Sequence, residues 1–314
     1  MTAPKQAVAG LRAVLTRHAV PAPQWVGAPR HRAGHAMGEY QYYEFLALDH
    51  PLTPDRQAEV RELSASAEVG GTGFVDRYEN GDFPGDPRQL MERHFDAHLY
   101  LSDWGIRQLV VRVPEKLLPL DTARPYLLDE QVEAWVAGDH LVLDLRSEDE
   151  DADWDEDDER LLPSLLAVRD ELASGDLRPL YLAWLAAVGT WERDEDAFDD
   201  DFEHETEPPV PAGLATLTPA QHNLADFLRL DADLLTTAAT LSPALSAPLS
   251  AQAGSIAALP DPDKTALLVR VASGEAPEVR LELLHHATAV PSPAPGSRTV
   301  GTLLDDAAVT RQRS

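Results

Sequence analysis

From Gly38 to Ser147 short apolar runs alternate with turn residues. Tyr40 to Leu48 (YQYYEFLAL) is aromatic-rich and apolar on both faces, which predicts a central strand buried on two sides. Thr53 as N-cap and Pro54 at the first position open a predicted helix to Ala67, with Val60, Leu63 and Ala67 along it. Thr72 to Tyr78 predicts a strand and Glu79-Asn80-Gly81-Asp82 a turn. A second helix is predicted from Asp86-Pro87 to about Phe95, a strand over Gln108 to Val113, and a hairpin over Val132 to Arg146 turned at Gly138-Asp139. Strands and helices that alternate and then give way to a hairpin imply an α+β fold, here a mixed-sheet sandwich with helices.

Beyond Arg146 the pattern turns helical, which implies an all-α C-terminal region. Predicted helices cover Arg160 to Ser174, Leu177 to Thr190, Pro219 to Leu228, Ala232 to Thr240, Asp263 to Ser273 and Pro277 to Ala287. The tail from Pro291 begins as a Pro-rich linker and ends in a short helix at Leu303 to Thr310. The regions so drawn are a basic extension at 1–37, an α+β domain at 38–147, a helical hairpin at 148–207, a helical domain at 208–290 and a flexible tail at 291–314.

Composition narrows the chemistry. The 314 residues contain no cysteine, which excludes disulfides, thiolate nucleophiles and sulfur-ligated metal sites. With 26 Lys plus Arg against 54 Asp plus Glu the formal charge is −28, a sign that repels nucleic acid and anionic membrane and favours basic proteins or metal cations. No apolar stretch of about 18 residues occurs and no secretory signal opens the chain, so a soluble, cytoplasmic protein is expected. Residues 1–38 hold five Lys or Arg and no acid. Three readings stay open for this segment: a basic arm that folds back on the acidic body, an Arg-rich targeting peptide, or a disordered extension upstream of a start at Met37.

The acids are concentrated. Glu148 to Glu159 (EDEDADWDEDDE) has ten carboxylates in twelve residues, and Glu192 to Glu207 has ten more opposed only by Arg193, so the two runs carry −19. Aromatic residues interleave them: Trp154, Trp191, Phe198 and Phe202. Such runs serve either as solvated loops or as a grip on a basic, partly apolar surface. Asp151, Asp153 and Asp155 match the first ligands of an EF-hand loop, but Glu156 stands where the turn needs Gly and Leu162 where the bidentate Glu belongs. His94 and His98 have the i, i+4 spacing that chelates zinc from one helical face, yet Phe95 occupies the position of the zincin glutamate. There is no GxSxG elbow or SxxK, and Gly70-Gly71-Thr72-Gly73 lacks the Lys and spacing of a phosphate loop. No cofactor is expected and no catalytic residue can be assigned.

Gly38 to Asp49 (GEYQYYEFLALD), Phe83 to Gly105 (FPGDPRQLMERHFDAHLYLSDWG), Asp139 to Glu150 (DHLVLDLRSEDE) and Leu224 to Leu235 (LADFLRLDADLL) together resemble a family of conserved hypothetical bacterial proteins from GC-rich genomes. The resemblance covers most of the chain after Met37 and implies no particular activity, cofactor or partner. The expected function is therefore a non-enzymatic interaction module that docks a basic protein through its acidic runs, with Asp151, Asp153, Trp154, Asp155, Asp199, Asp200 and Phe202 as the contact residues. Two alternatives stand beside it. One is a metal-dependent enzyme or ligand-binding protein using His94 or His98. The other is an acidic inhibitor that imitates nucleic acid.

Overall fold

The aromatic run after Gly38 forms β1 (Gln41–Leu46), and both of its faces are covered. The computed structural model describes residues 40–150, 156–190, 200–245 and 253–313. After β1 come α1 (Pro54–Leu63), capped by Thr53, then β2 (Glu68–Val69), β3 (Gly73–Tyr78), and α2 (Pro87–Arg93), capped by Asp86. They are followed by β4 (Ala97–Ser102), β5 (Ile106–Pro114), the single turn α3 (Leu120–Ala123), β6 (Val132–Ala137) and β7 (His140–Glu148).

These strands make one seven-stranded sheet in the order β2-β3-β1-β4-β5-β7-β6. The fold is α+β, but every pairing is antiparallel where a mixed sheet was expected. The reason lies in the placing of β1. Helix α2 carries the chain from β3 to β4, which run in the same direction, but β1 lies between them and pairs with both, so no parallel contact forms.

The two-residue side-chain period of the strands then sorts the core into two clusters. On one face Tyr43, Phe45, Phe74, Val110 and Val142 pack against Val60 of α1 and Leu90 and Met91 of α2. On the other face Tyr42, Leu99, Leu101, Leu109, Val111, Leu143 and Leu145 meet the C-terminal helices. Those helices are α4 (Leu162–Leu165), α5 (Ala167–Ala173), α6 (Arg178–Gly189), α7 (Pro219–Phe227), α8 (Ala232–Ala239), α9 (Ala253–Ala257), α10 (Asp261–Ala272), α11 (Ala276–Ala287) and α12 (Val300–Arg311). The helix expected over 160–174 is thus two short helices. Helix α6 is apolar all round and buried from Arg178 to Val188, as a helix in the middle of a core must be.

Gly38–Ser314 is one compact unit, and residues from each region drawn after 37 share its larger cluster: Leu145, Leu162, Leu224, Leu281 and Leu303. The tail expected to be flexible is fastened. Isolated bridges join Thr206 to Thr299 and Val210 to Ala294, and α12 buries Val300, Leu303 and Ala307.

Candidate functional site

Both acidic runs enter and leave the described body at defined points. Strand β7 delivers the chain to the first run, where the Asp149 backbone N–H donates to the Gly105 carbonyl at 3.2 Å. Gly105 has φ +91°, and a Cβ on it would lie 1.8 Å from the Asp149 carbonyl oxygen, so this close approach requires glycine. At the far end of the run Arg107 pairs with Asp158. Gly105 and Arg107 are two residues apart at the β4–β5 turn, so the run begins and ends at one place on the sheet. Glu159 secures the exit further. It accepts from Arg77 Nε at 2.9 Å and from the Tyr40 hydroxyl, while the Tyr42 hydroxyl donates to its carbonyl at 3.1 Å. Burial first, and then the Glu159 carboxylate, push the Tyr40 pKa upward, which keeps that phenol a donor. Substituting Gly105→Ala will cost about 1–3 kcal/mol and part the two strands at this foot. Thermal denaturation, with limited proteolysis of the 149–158 segment, measures both effects.

The second run follows α6, whose last residue Gly189 lies so close to α8 that a Cβ would sit 3.1 Å from Leu234 Cδ2. Its far end is buried. Glu207, 2% exposed, accepts from Arg298 Nε and Nη2 at 2.9 Å each and from the Tyr181 hydroxyl. Arg298 Nη1 in turn donates to the Thr237 carbonyl at 3.1 Å. Leu234 and Thr237 lie about one turn apart on α8, so the last residue of α6, before the second run, and the partner of its last residue, Arg298, meet the same helix. Arg229 Nη1 donates at 3.2 Å to Ser147 Oγ, just before the first run, and the residue itself lies just before α8. The foot of the first run is thus bonded to the segment that leads into α8.

Besides Glu148, which pairs with Arg146 two residues before it, three carboxylates of the runs are tied to distant parts of the chain. Asp158, Glu159 and Glu207 are neutralised by Arg107, Arg77 and Arg298, partners 51, 82 and 91 residues away along the chain. Of the residues expected to contact a partner, Asp151, Asp153, Trp154, Asp155 and Asp199 lie outside the described residues. Asp200 begins the short helical turn Asp200–His204, and Phe202 in that turn is partly buried against the larger core cluster.

His94 and His98 do not share a helical face. Helix α2 ends at Arg93 with His94 as its C-cap, and His98 lies in β4. The His98 ring stacks on Phe45 with centroids 3.9 Å apart, and its Nδ1 is 2.9 Å from the Glu44 carbonyl oxygen. Burial pushes its pKa down to about 3, so the ring is neutral at ordinary pH. His94 Nε2 is 3.5 Å from Glu59, not from His98. Among the described residues no three His, Asp or Glu side chains converge as metal ligands, and no helix is long and apolar enough to cross a membrane. The 70–73 glycine cluster is the turn into β3, closed by a 2.8 Å bond from the Gly70 N–H to the Gly73 carbonyl. No protein-family model, curated protein or solved structure matches the chain.

Proposed function

We infer that this chain is a non-enzymatic interaction module that docks a basic protein partner through its two acidic runs. The observation that carries this reading is the anchoring of the runs to the body: the first at both ends, at Gly105 and Arg107, and the second at its far end, at Arg298, with Gly189 packed close to Leu234 three residues before it begins. A segment whose ends are already fixed loses less chain entropy on binding than a free tail of the same charge. The ion pairs at the feet occupy four of the acids, Glu148, Asp158, Glu159 and Glu207. The rest of the −19 is carried between them, where Asp151, Asp153, Asp155 and Asp199 would meet Lys and Arg, and Trp154 the apolar parts of the partner. Arg229 bonds Ser147 at the first foot from a position three residues before α8, the helix beside the second, which favours one partner contacting both runs.

Calorimetric titration with a Lys/Arg-rich peptide tests the reading. Binding is expected, and it should weaken by an order of magnitude or more from about 50 to 200 mM salt, because exposed charges are screened over about 10 Å at 0.1 M. A variant with Asp151, Asp153 and Asp155 changed to Asn should lose most of that salt-dependent affinity. Unaltered binding by this variant would sink the proposal.

A further inference from the structure

On the sheet face that carries α1 and α2, a polar group beside α2 is Asp144 of β7. Asp144 is buried and lies directly opposite Glu133 of β6 in the antiparallel register. One neutral amide serves it: Gln108 Nε2 of β5 lies 2.8 Å from Oδ1 and 2.7 Å from Oδ2. The cations that face it form their ion pairs with other carboxylates, although the buried Nη1 of Arg88 has no hydrogen-bond partner. Arg146 of β7 pairs with Glu148 at 2.7 Å, and Arg88 of α2 donates to Glu92 while stacking 4.0 Å over the Trp135 ring. Among the described residues no guanidinium or ammonium pairs with Asp144.

The neighbouring strand is lightly held. β6 is at the edge of the sheet, where among the described residues β7 is its one partner strand and a bridge from Leu128 to Val132 holds its start; Val132 is its one fully buried residue and Val136 is 48% exposed. Beyond the ladder it is held by Ala134, Trp135 and Ala137 packing partly buried on the two clusters and by an indole N–H bond of 2.9 Å from Trp135 to Glu92. Like charges directly opposite on paired strands repel, and the effect is largest where little else holds the strand.

We propose that Asp144, Glu133 and Gln108 form a proton-operated latch on the edge strand: with a proton on Asp144 the β6–β7 pairing is closed, and loss of that proton sets Asp144 against Glu133 and releases β6. Burial raises the Asp144 pKa to about 7 and also raises that of Glu133, which places the working range near neutrality. The closed form holds the proton and the open form, with an ordinary carboxyl, does not. Opening therefore becomes easier as pH rises toward 7 and levels off above it.

Amide hydrogen exchange on the full chain between pH 5 and 8.5, corrected for the intrinsic pH dependence of exchange, tests this. Protection of 133–137 should fall by about tenfold per pH unit up to pH 7 and then stay level, while β1 and β4 keep theirs. Asp144→Asn should hold β6 protected across the range, and Glu133→Gln should reduce the fall. Wild-type protection of β6 that does not vary with pH would overturn the latch, as would an unaltered pH profile in either variant. If Asp144→Asn does not fold, the Glu133→Gln profile decides alone.

Discussion

Replacing Arg169 by methionine will destabilise the body by about 3–5 kcal/mol, a large share of the 5–15 kcal/mol that holds a typical domain folded. Arg169 of α5 is 3% exposed and clasps Asp49 with both guanidinium nitrogens, Nη1 to Oδ1 at 2.9 Å, while its Nε donates to the Arg112 carbonyl at 2.6 Å. Beside it Asp96 accepts the Leu48 and Asp49 backbone N–H groups at 2.8 and 2.9 Å and the Arg112 guanidinium at 2.6 Å. Two arginines and two aspartates thus lock the exit of β1 to β5 and to α5. Truncating one partner strands a buried charge, and that stranding, rather than the attraction itself, accounts for most of the cost. Urea denaturation of Arg169→Met, and of the same change combined with Asp49→Asn, separates the two contributions. The double variant should recover much of the loss. Equal midpoints for single and double would show that the pair is not what holds this corner.

The second large effect has the opposite sign and depends on pH. Asp144→Asn should stabilise the protein by about 4 kcal/mol at pH 8 and by only about 1–2 kcal/mol at pH 5. The sign follows from the direction of the shift. With a folded pKa near 7 and an ordinary unfolded value, the native state holds more protons than the unfolded state between roughly pH 4 and 7. Stability is therefore lost as pH rises through that window, and asparagine, which cannot ionise, escapes the loss. Asp96 behaves in the reverse way. Burial pushes its pKa up, but Arg112, the Asp49 backbone N–H and Arg169 outweigh it and hold the carboxyl below the usual range. Its contribution is present above the unfolded pKa and disappears as acid protonates it. Denaturation midpoints of wild type and Asp144→Asn at pH 5 and 8 decide the first claim. A difference between the two proteins that does not change with pH would refute it.

Local signals wrote much of the architecture. Thr53-Pro54 and Asp86-Pro87 cap α1 and α2 as their residue types demand, and YQYYEFLAL gives a strand with both faces covered. Each of these rests on contacts within a few residues. The end of α2 was harder to place, because ERHFDAHLYL reads equally as a continuing helix or as a strand after a break. The place between β1 and β5 in the sheet decided it, pairing 97–101 on both sides and drawing Phe95 and Leu99 into the core. The His94/His98 pair was lost with that helical face.

The candidate site shows the same division. Sequence alone determined that the charge lies in two short runs and that one sheet is followed by helices, because composition, caps and side-chain periodicity are properties of neighbours along the chain. Only the tertiary structure decided that Arg107, Arg77 and Arg298 clamp those runs, that Arg229 bonds Ser147 at the first foot, and that Asp144 faces Glu133. These pairings span from 11 to 91 residues of sequence, and nothing in a carboxylate's neighbours states which distant guanidinium will neutralise it or which strand will leave it without one. Burial and proximity assign those partners, and both exist only once the sheet has closed against its helices.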